Sequence, residues 1–188
     1  MSAISSLKVT PLAGLPEALL LEPRVHGDTR GFFMESFNQR DFQAATGLEV
    51  CFVQDNHSRS RQGVLRGLHY QAEQPQGKLV RVLAGEILDV VVDIRPESVT
   101  YGHWGSARLS ASNLHQLWVP PGFAHGFVVL SDSADVFYKT TDYYAPQHER
   151  AIRWDDPVLA IDWQRDDWCW GREPILSDKD RQAAAFNS

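Results

Sequence analysis

Apolar residues in this chain come in short runs broken by Gly, Pro, Asp and Asn, and within several runs they alternate with polar ones. Alternation at a period of two marks a strand with one face buried. The pattern predicts early strands at 18–21 and 32–36 around a Gly27-Asp28 turn. Further strands follow at 49–55, 64–71, 78–84, 87–94, 105–110, 117–119, 126–130 and 135–141. Gly85-Glu86, between two of these runs, reads as a hairpin connection. Residues 38–46 form a weak helical pattern, with Phe42 and Ala45 at helical spacing and Gly47 as a stop. A second helix is expected from Asp178, where Ser177 can cap and Asp180 stands three residues on, as in a capping box. Many short strands divided by Gly and Pro predict an all-β sandwich or barrel.

Parity decides which strand side chains share a face. In 64–71, Leu65, Gly67, His69 and Gln71 face one way, and Arg66, Leu68 and Tyr70 the other. In 135–141, Val136, Tyr138 and Thr140 share a face opposite Phe137 and Lys139. For Arg66 and His69 to line one pocket, alternation must fail between them. Gly67 is where a bulge can do that.

Composition narrows the class. A chain of 188 residues, 43% hydrophobic and 22% charged, fits one domain over 1–188. A net charge of −6 argues against general nucleic-acid or membrane-surface binding, yet leaves room for a local basic pocket. Cys51 and Cys169, far apart and in no CxxC pattern, imply neither a disulfide framework nor a zinc site. Residues 1–21 lack the charge and apolar pattern of a signal peptide, and no run is long enough to span a bilayer, so a cytoplasmic location is expected. Trp154, Trp163, Trp168 and Trp170 crowd the C-terminal quarter, either packing an irregular tail or stacking on a flat ligand.

The chemistry concentrates in Gly63-Val64-Leu65-Arg66-Gly67-Leu68-His69-Tyr70-Gln71 and in Lys78 beyond it. A lone strand histidine is most often a satisfied core residue. Here it has cations close in sequence, which suits a general base beside an oxyanion site. A metal-binding cupin would place a second histidine two residues on, where this chain has Gln71. Pro120-Pro121-Gly122-Phe123-Ala124-His125 carries the Pro-x-Gly-x-x-His core of the second cupin motif. Without a partner ligand set, His125 reads better as a hydrogen-bond donor than as a metal ligand. Tyr138 is either a packing residue or an acid opposite the base. Arg30, Arg59 and Arg61 are either solubilising residues or binders of phosphate or carboxylate. No GxxxxGK[ST], GxGxxG after a strand, HExxH or GxSxG occurs, which sets aside the usual nucleotide hydrolase, dinucleotide enzyme, zincin and serine hydrolase readings.

Taken in order, these stretches resemble the dTDP-4-dehydrorhamnose 3,5-epimerase family. The resemblance rests on Gly27-Asp28-Thr29-Arg30-Gly31, Val53-Gln54-Asp55-Asn56-His57, the Arg66–His69 segment, Gly77-Lys78-Leu79, Pro120-x-Gly-Phe-Ala-His125, Tyr138-Lys139-Thr140-Thr141-Asp142-Tyr143-Tyr144 and Ser177-Asp178-Lys179-Asp180. It implies a cupin-type jelly roll, a homodimer that exchanges an N-terminal strand, no metal or organic cofactor, and a dTDP-4-keto-6-deoxyhexose substrate. It implies that His69 is the base, Asp180 its orienting carboxylate, Tyr138 the proton donor and Lys78 the residue at the C4 oxygen. It further implies nucleotide- or sugar-binding roles for Arg30, Glu35, Gln54, Asp55, Asn56, Arg66, His125, Glu149 and Lys179. Asp180 keeps its rival reading as the cap partner of Ser177. Two departures stand out: His26 precedes Gly27 where an aromatic is more usual, and the 166–173 stretch is longer than in the family. The same base and acid would also serve an epimerase acting at one carbon only. A non-catalytic sugar-nucleotide binder and a metal-dependent cupin are the readings from other classes.

Overall fold

A computed structural model describes residues 7–169 and 171–187. The described strands are β1 (Leu7–Leu12), β2 (Leu15–Pro23), β3 (Val25–Asp28), β4 (Gly31–Met34), β5 (Gln54–Arg61), β6 (Leu65–Gln71), β7 (Lys78–Ala84), β8 (Glu86–Asp93), β9 (Trp104–Ser110), β10 (Gln116–Val119), β11 (Phe123–Val129), β12 (Ser133–Thr140) and β13 (Glu149–Ala151). Helices α1 (Gln39–Thr46) and α2 (Asp178–Arg181) are short. Two antiparallel sheets, ordered β1-β2-β10-β7-β12-β5 and β13-β6-β11-β8-β9, face each other as a jelly-roll sandwich. The expected all-β class is therefore the observed one.

Three apolar clusters hold the sheets. Val80, Val82, Ile87, Val91, Phe127, Val129 and Val136 fill the space between them. On the outer face of the five-stranded sheet, Leu88, Val90 and Val92 pack under Trp154, Leu159, Trp163, Trp168 and Phe186. β8 is thus apolar on both faces, which is why it reads as a near-continuous run rather than an alternating one. The tail tryptophans pack as core. Trp163 Nε1 donates to the Trp154 carbonyl at 2.8 Å, and Trp168 Nε1 to the Trp163 carbonyl at 2.7 Å. Trp170 lies outside the described residues. On the other side, Phe42 of α1 joins Phe37, Phe52 and Trp118 over the six-stranded sheet. Asn38 caps α1, and Gly47 ends it in the left-handed conformation.

Several expectations need correction. β7 and β8 do not pair. Gly85, at φ 76°, carries the chain from one sheet to the other, and a Cβ there would meet the Ser133 carbonyl oxygen at 1.9 Å. The early hairpin is β3–β4, turning at Thr29-Arg30 rather than Gly27-Asp28, while β2 pairs with β1 and β10. The strand expected at 49–55 starts at Gln54 and continues to Arg61. β5 is an edge strand with one face in solvent and the other on a polar cavity, so Gln-Asp-Asn-His-Ser-Arg-Ser-Arg shows no apolar alternation to read. The one-turn α2 is shorter than the expected C-terminal helix.

Candidate active site

Alternation fails in β6 where the sequence requires it. β11 pairs His125 with His69 but Phe127 with Arg66, so β6 holds one extra residue between these pairs. Gly67, at φ 122°, sits in that interval, and a Cβ on it would lie 2.5 Å from the Gly126 Cα. The bulge turns both Arg66 and His69 into one cavity.

That cavity, of about 360 Å³, lies between the two sheets. Its walls include Gln54 and Asn56 of β5, Arg66 and His69 of β6, Lys78 of β7, His125 of β11 and Tyr138 of β12. Tyr144, Glu149 and Lys179 close one side. The size suits a small-molecule ligand.

His69 is partly exposed to the cavity, and its Nε2 bonds Asp180 Oδ1 from behind. A carboxylate only accepts, so Nε2 carries the proton and Nδ1 keeps its lone pair. The two readings of Asp180 hold together, on different atoms. Oδ1 takes the imidazole, Oδ2 accepts from the Ser177 hydroxyl at 2.8 Å, and the Asp180 N–H donates to Ser177 Oγ at 3.1 Å. Burial works to raise the Asp180 pKa, but the His69 and Ser177 bonds and the His69 charge outweigh it and hold it below the usual range.

Lys78 is flanked by so much protein that its ammonium loses hydration. Burial pulls its pKa down to about 8, opposed by the charges of Asp89 and Glu149. Burial likewise pushes the Tyr138 phenol up, with Arg66 opposing. Lys179 and Glu149 pair at 2.5 Å, and the Tyr144 hydroxyl donates to Glu149 at 2.8 Å. Gln54 donates to Asn56 Oδ1 at 2.9 Å and accepts the Tyr144 N–H at 3.0 Å. The Gln71 amide is spent on backbone, donating to the Gln74 carbonyl at 2.7 Å and accepting the Ala145 N–H at 2.9 Å. Among the described residues, no group of three His, Cys, Asp or Glu side chains could hold a metal ion.

Three expected ligand contacts lie away from this cavity. Arg30, with its side chain 88% exposed, pairs with Asp28 at the tip of the β3–β4 hairpin. Glu35 follows that hairpin and lines a separate small hollow beside α1. Asp55 alternates to the outer face of β5 and binds Lys139 at 2.9 Å, because its neighbours Gln54 and Asn56 take the inner face. The longer 166–173 stretch does not displace Lys179 or Asp180. Sequence reasoning passed over Tyr144, Gln76 and Ser58 in the cavity wall, and Asp89 behind His125. A signal for Asp89 was present: a lone acid inside Ile87-Leu88-Asp89-Val90-Val91-Val92, at the parity of the inward-facing Ile87 and Val91.

The family model for dTDP-4-dehydrorhamnose 3,5-epimerase matches residues 13–188. The chain belongs to the dTDP-4-dehydrorhamnose 3,5-epimerase family. It is 60% identical over 180 residues to the dTDP-4-dehydrorhamnose 3,5-epimerase of Pseudomonas aeruginosa, covering 96% of each chain. Its structure is similar to that of dTDP-6-deoxy-D-glucose-3,5-epimerase from Legionella pneumophila in complex with dTDP-4-keto-L-rhamnose, with a TM-score of 0.90, 50% identity, and coverage of 96% of this chain and 93% of that one. Within the same fold, a 3'-monoepimerase from Streptomyces bikiniensis in complex with dTDP-quinovose has a TM-score of 0.85 at 34% identity, with 94% and 86% of the two chains covered. The proteins similar in structure to this chain thus include one named for a single carbon.

Proposed function

We propose that this chain inverts C3 and C5 of dTDP-4-dehydro-6-deoxy-D-glucose to give dTDP-4-dehydro-L-rhamnose, on the route to dTDP-L-rhamnose in the cytoplasm. One observation carries the reading. An imidazole with Nε2 held by Asp180 and Nδ1 free shares a cavity with Lys78 and Tyr138. The C4 ketone acidifies both neighbouring carbons, so one base and one oxyanion site serve two inversions. His69 takes the proton, and the electron pair moves onto the C4 oxygen, where the Lys78 ammonium meets it. Tyr138 remains a phenol under burial and returns a proton to carbon. His69 comes from the five-stranded sheet and Tyr138 from the six-stranded one, so a sugar between the sheets is flanked on opposite sides, as inversion requires.

In this reading Gln54, Asn56, Arg66, His125, Glu149 and Lys179 hold the sugar and diphosphate. Arg30 and Glu35 reach a ligand only through a homodimer that exchanges the N-terminal region. The β3–β4 hairpin supports this: it pairs with neither large sheet and exposes Phe32 and Phe33, at 60% and 72%. Lys78 supplies the positive charge, so no metal or organic cofactor is needed, and treatment with a chelator leaves the rate unchanged. The likeness to the Streptomyces bikiniensis protein keeps a single-carbon epimerase as the second reading.

Mass spectrometry of the product formed in heavy water tests both. Two deuterons per sugar support the double epimerase, one deuteron selects the single-carbon reading, and none contradicts catalysis. Tyr138→Phe slows proton return at C5 about 100-fold while exchange of the substrate hydrogen persists. Undiminished turnover in that variant removes Tyr138 as the acid.

A further inference from the structure

A second imidazole–carboxylate pair lines the cavity through His125, and its carboxylate, Asp89, has no role in the mechanism above. His125 Nε2 bonds Asp89 Oδ1 at 2.6 Å, and Asp89 has 0% exposure. Its other oxygen, Oδ2, is buried without a hydrogen-bond partner among the described residues. A buried carboxylate oxygen left unpaired is costly, so a fold that keeps one needs a compensating positive charge nearby. Parity supplies it. Asp89 shares its inward face of β8 with Ile87 and Val91, and Lys78 shares its inward face of β7 with Val80 and Val82. The two side chains enter the same interior from opposite sheets.

The other charges around Lys78 are already committed. Glu149 on β13 is engaged by Lys179 of α2 and by Tyr144. Asp180 on α2 is engaged by His69 and Ser177. Arg66 on β6 adds positive charge and donates to Ser60 at 3.0 Å. Tyr138 on β12 is a phenol kept neutral by burial. His125 on β11 is itself disfavoured as a cation by burial. That leaves Asp89, engaged by His125 through Oδ1 alone and with no hydrogen-bond donor to Oδ2 among the described residues, as the least satisfied carboxylate facing the lysine.

We propose that Asp89 is a positioning residue that keeps Lys78 cationic at the cavity floor and fixes His125 with its proton on Nε2. The idea deepens the epimerase reading and rests on it. A lysine neutral at working pH could not hold an enolate oxygen, and the carboxylate that prevents this comes from the adjacent strand in sequence, across the sandwich. Among the charges acting on Lys78, Asp89 is the largest that favours its ammonium form. His125, with Nε2–H turned to Asp89, keeps Nδ1 for whatever enters the cavity.

The test is the pH profile of Asp89→Asn, a change that keeps the shape and removes the charge. The alkaline limb of kcat moves down by about one pH unit or more. At pH 8 turnover falls by about fivefold or more, while KM for the nucleotide sugar changes by less than about threefold. Binding of dTDP alone, which has no ketone, remains and reports an intact fold. If Asp89→Asn fails to bind dTDP, Asp89→Ser is read in the same way. A variant that binds dTDP and keeps the wild-type limb overturns the proposal. Nitrogen-15 NMR of the unaltered protein gives an independent check. Nε2 of His125 must stay protonated across the active pH range, and an unprotonated Nε2 overturns the proposal without any mutation. Failure of the epimerase reading looks different, since the unaltered chain would then exchange no deuterium at C3 or C5.

Discussion

The cavity holds two histidine–carboxylate pairs, and they differ in everything except chemistry. His69–Asp180 joins a bulged strand to the C-terminal helix. Its imidazole opens to the cavity, and Ser177 engages the second carboxylate oxygen. His125–Asp89 joins neighbouring strands of one sheet, lies buried throughout, and leaves one carboxylate oxygen without a donor. The first pair is built to cycle a proton, because the ring meets the ligand and the carboxylate is satisfied in both ring states. The second holds a fixed charge where water cannot screen it. The surroundings, not the residue types, assign the roles.

Removing the Lys78 cation gives the largest effect. Lys78→Met lowers kcat by about a hundred- to a thousandfold, judged by steady-state turnover, the loss that follows removal of an oxyanion donor. The same variant unfolds at higher denaturant concentration near neutral pH, because a buried ammonium opposes folding. The sign follows from proton binding. The lysine's folded pKa, near 8, lies below its unfolded value, so the unfolded chain binds more protons between about 8 and 10.4. Wild-type stability therefore gains from this group as pH rises through that window, while activity falls above 8. Urea titrations and rates measured over the same pH series check the opposition.

Asp180→Asn comes next. An amide can present its oxygen or its nitrogen to the ring and no longer fixes the imidazole proton, so kcat drops about 100-fold at every pH, without the limb shift expected of Asp89→Asn. A variant of Asp180 that moved the alkaline limb instead would erase the distinction between the pairs. The smallest effect belongs to Ser177→Ala. Losing the cap and one carboxylate bond lowers stability by about 1 kcal/mol and kcat by a few-fold, read from denaturant midpoints and turnover.

How much of this was legible in the sequence depends on where each residue sits. Strands β6, β7, β8 and β12 announced themselves because each buries at least one apolar face. β5 did not, since its inner face meets a polar cavity and its outer face meets water. The failure of alternation at Gly67 was readable because Arg66 and His69 had to share a face, and only a residue without Cβ tolerates the approach of Gly126. Asp180 was visible as a cap, but its bond to His69 spans 111 residues and no local pattern encodes it. Asp89 sat in plain view as one acid among aliphatic neighbours. Its meaning depends on which strand of the opposite sheet carries the lysine, and that is a fact of topology. Arg30 and Glu35 matched the family in sequence yet stand outside this chain's own cavity, because the hairpin that carries Arg30 and leads into Glu35 joins neither large sheet.

The central claim is that the ring at position 69 takes the protons beside the ketone. Proton NMR of dTDP-4-dehydro-6-deoxy-D-glucose in heavy water, with the unaltered chain and His69→Asn side by side, tests it most directly. The account predicts that the H3 and H5 signals fade with the unaltered chain and persist with the variant, while both proteins still bind dTDP. Loss of either signal at an undiminished rate in the variant would contradict it.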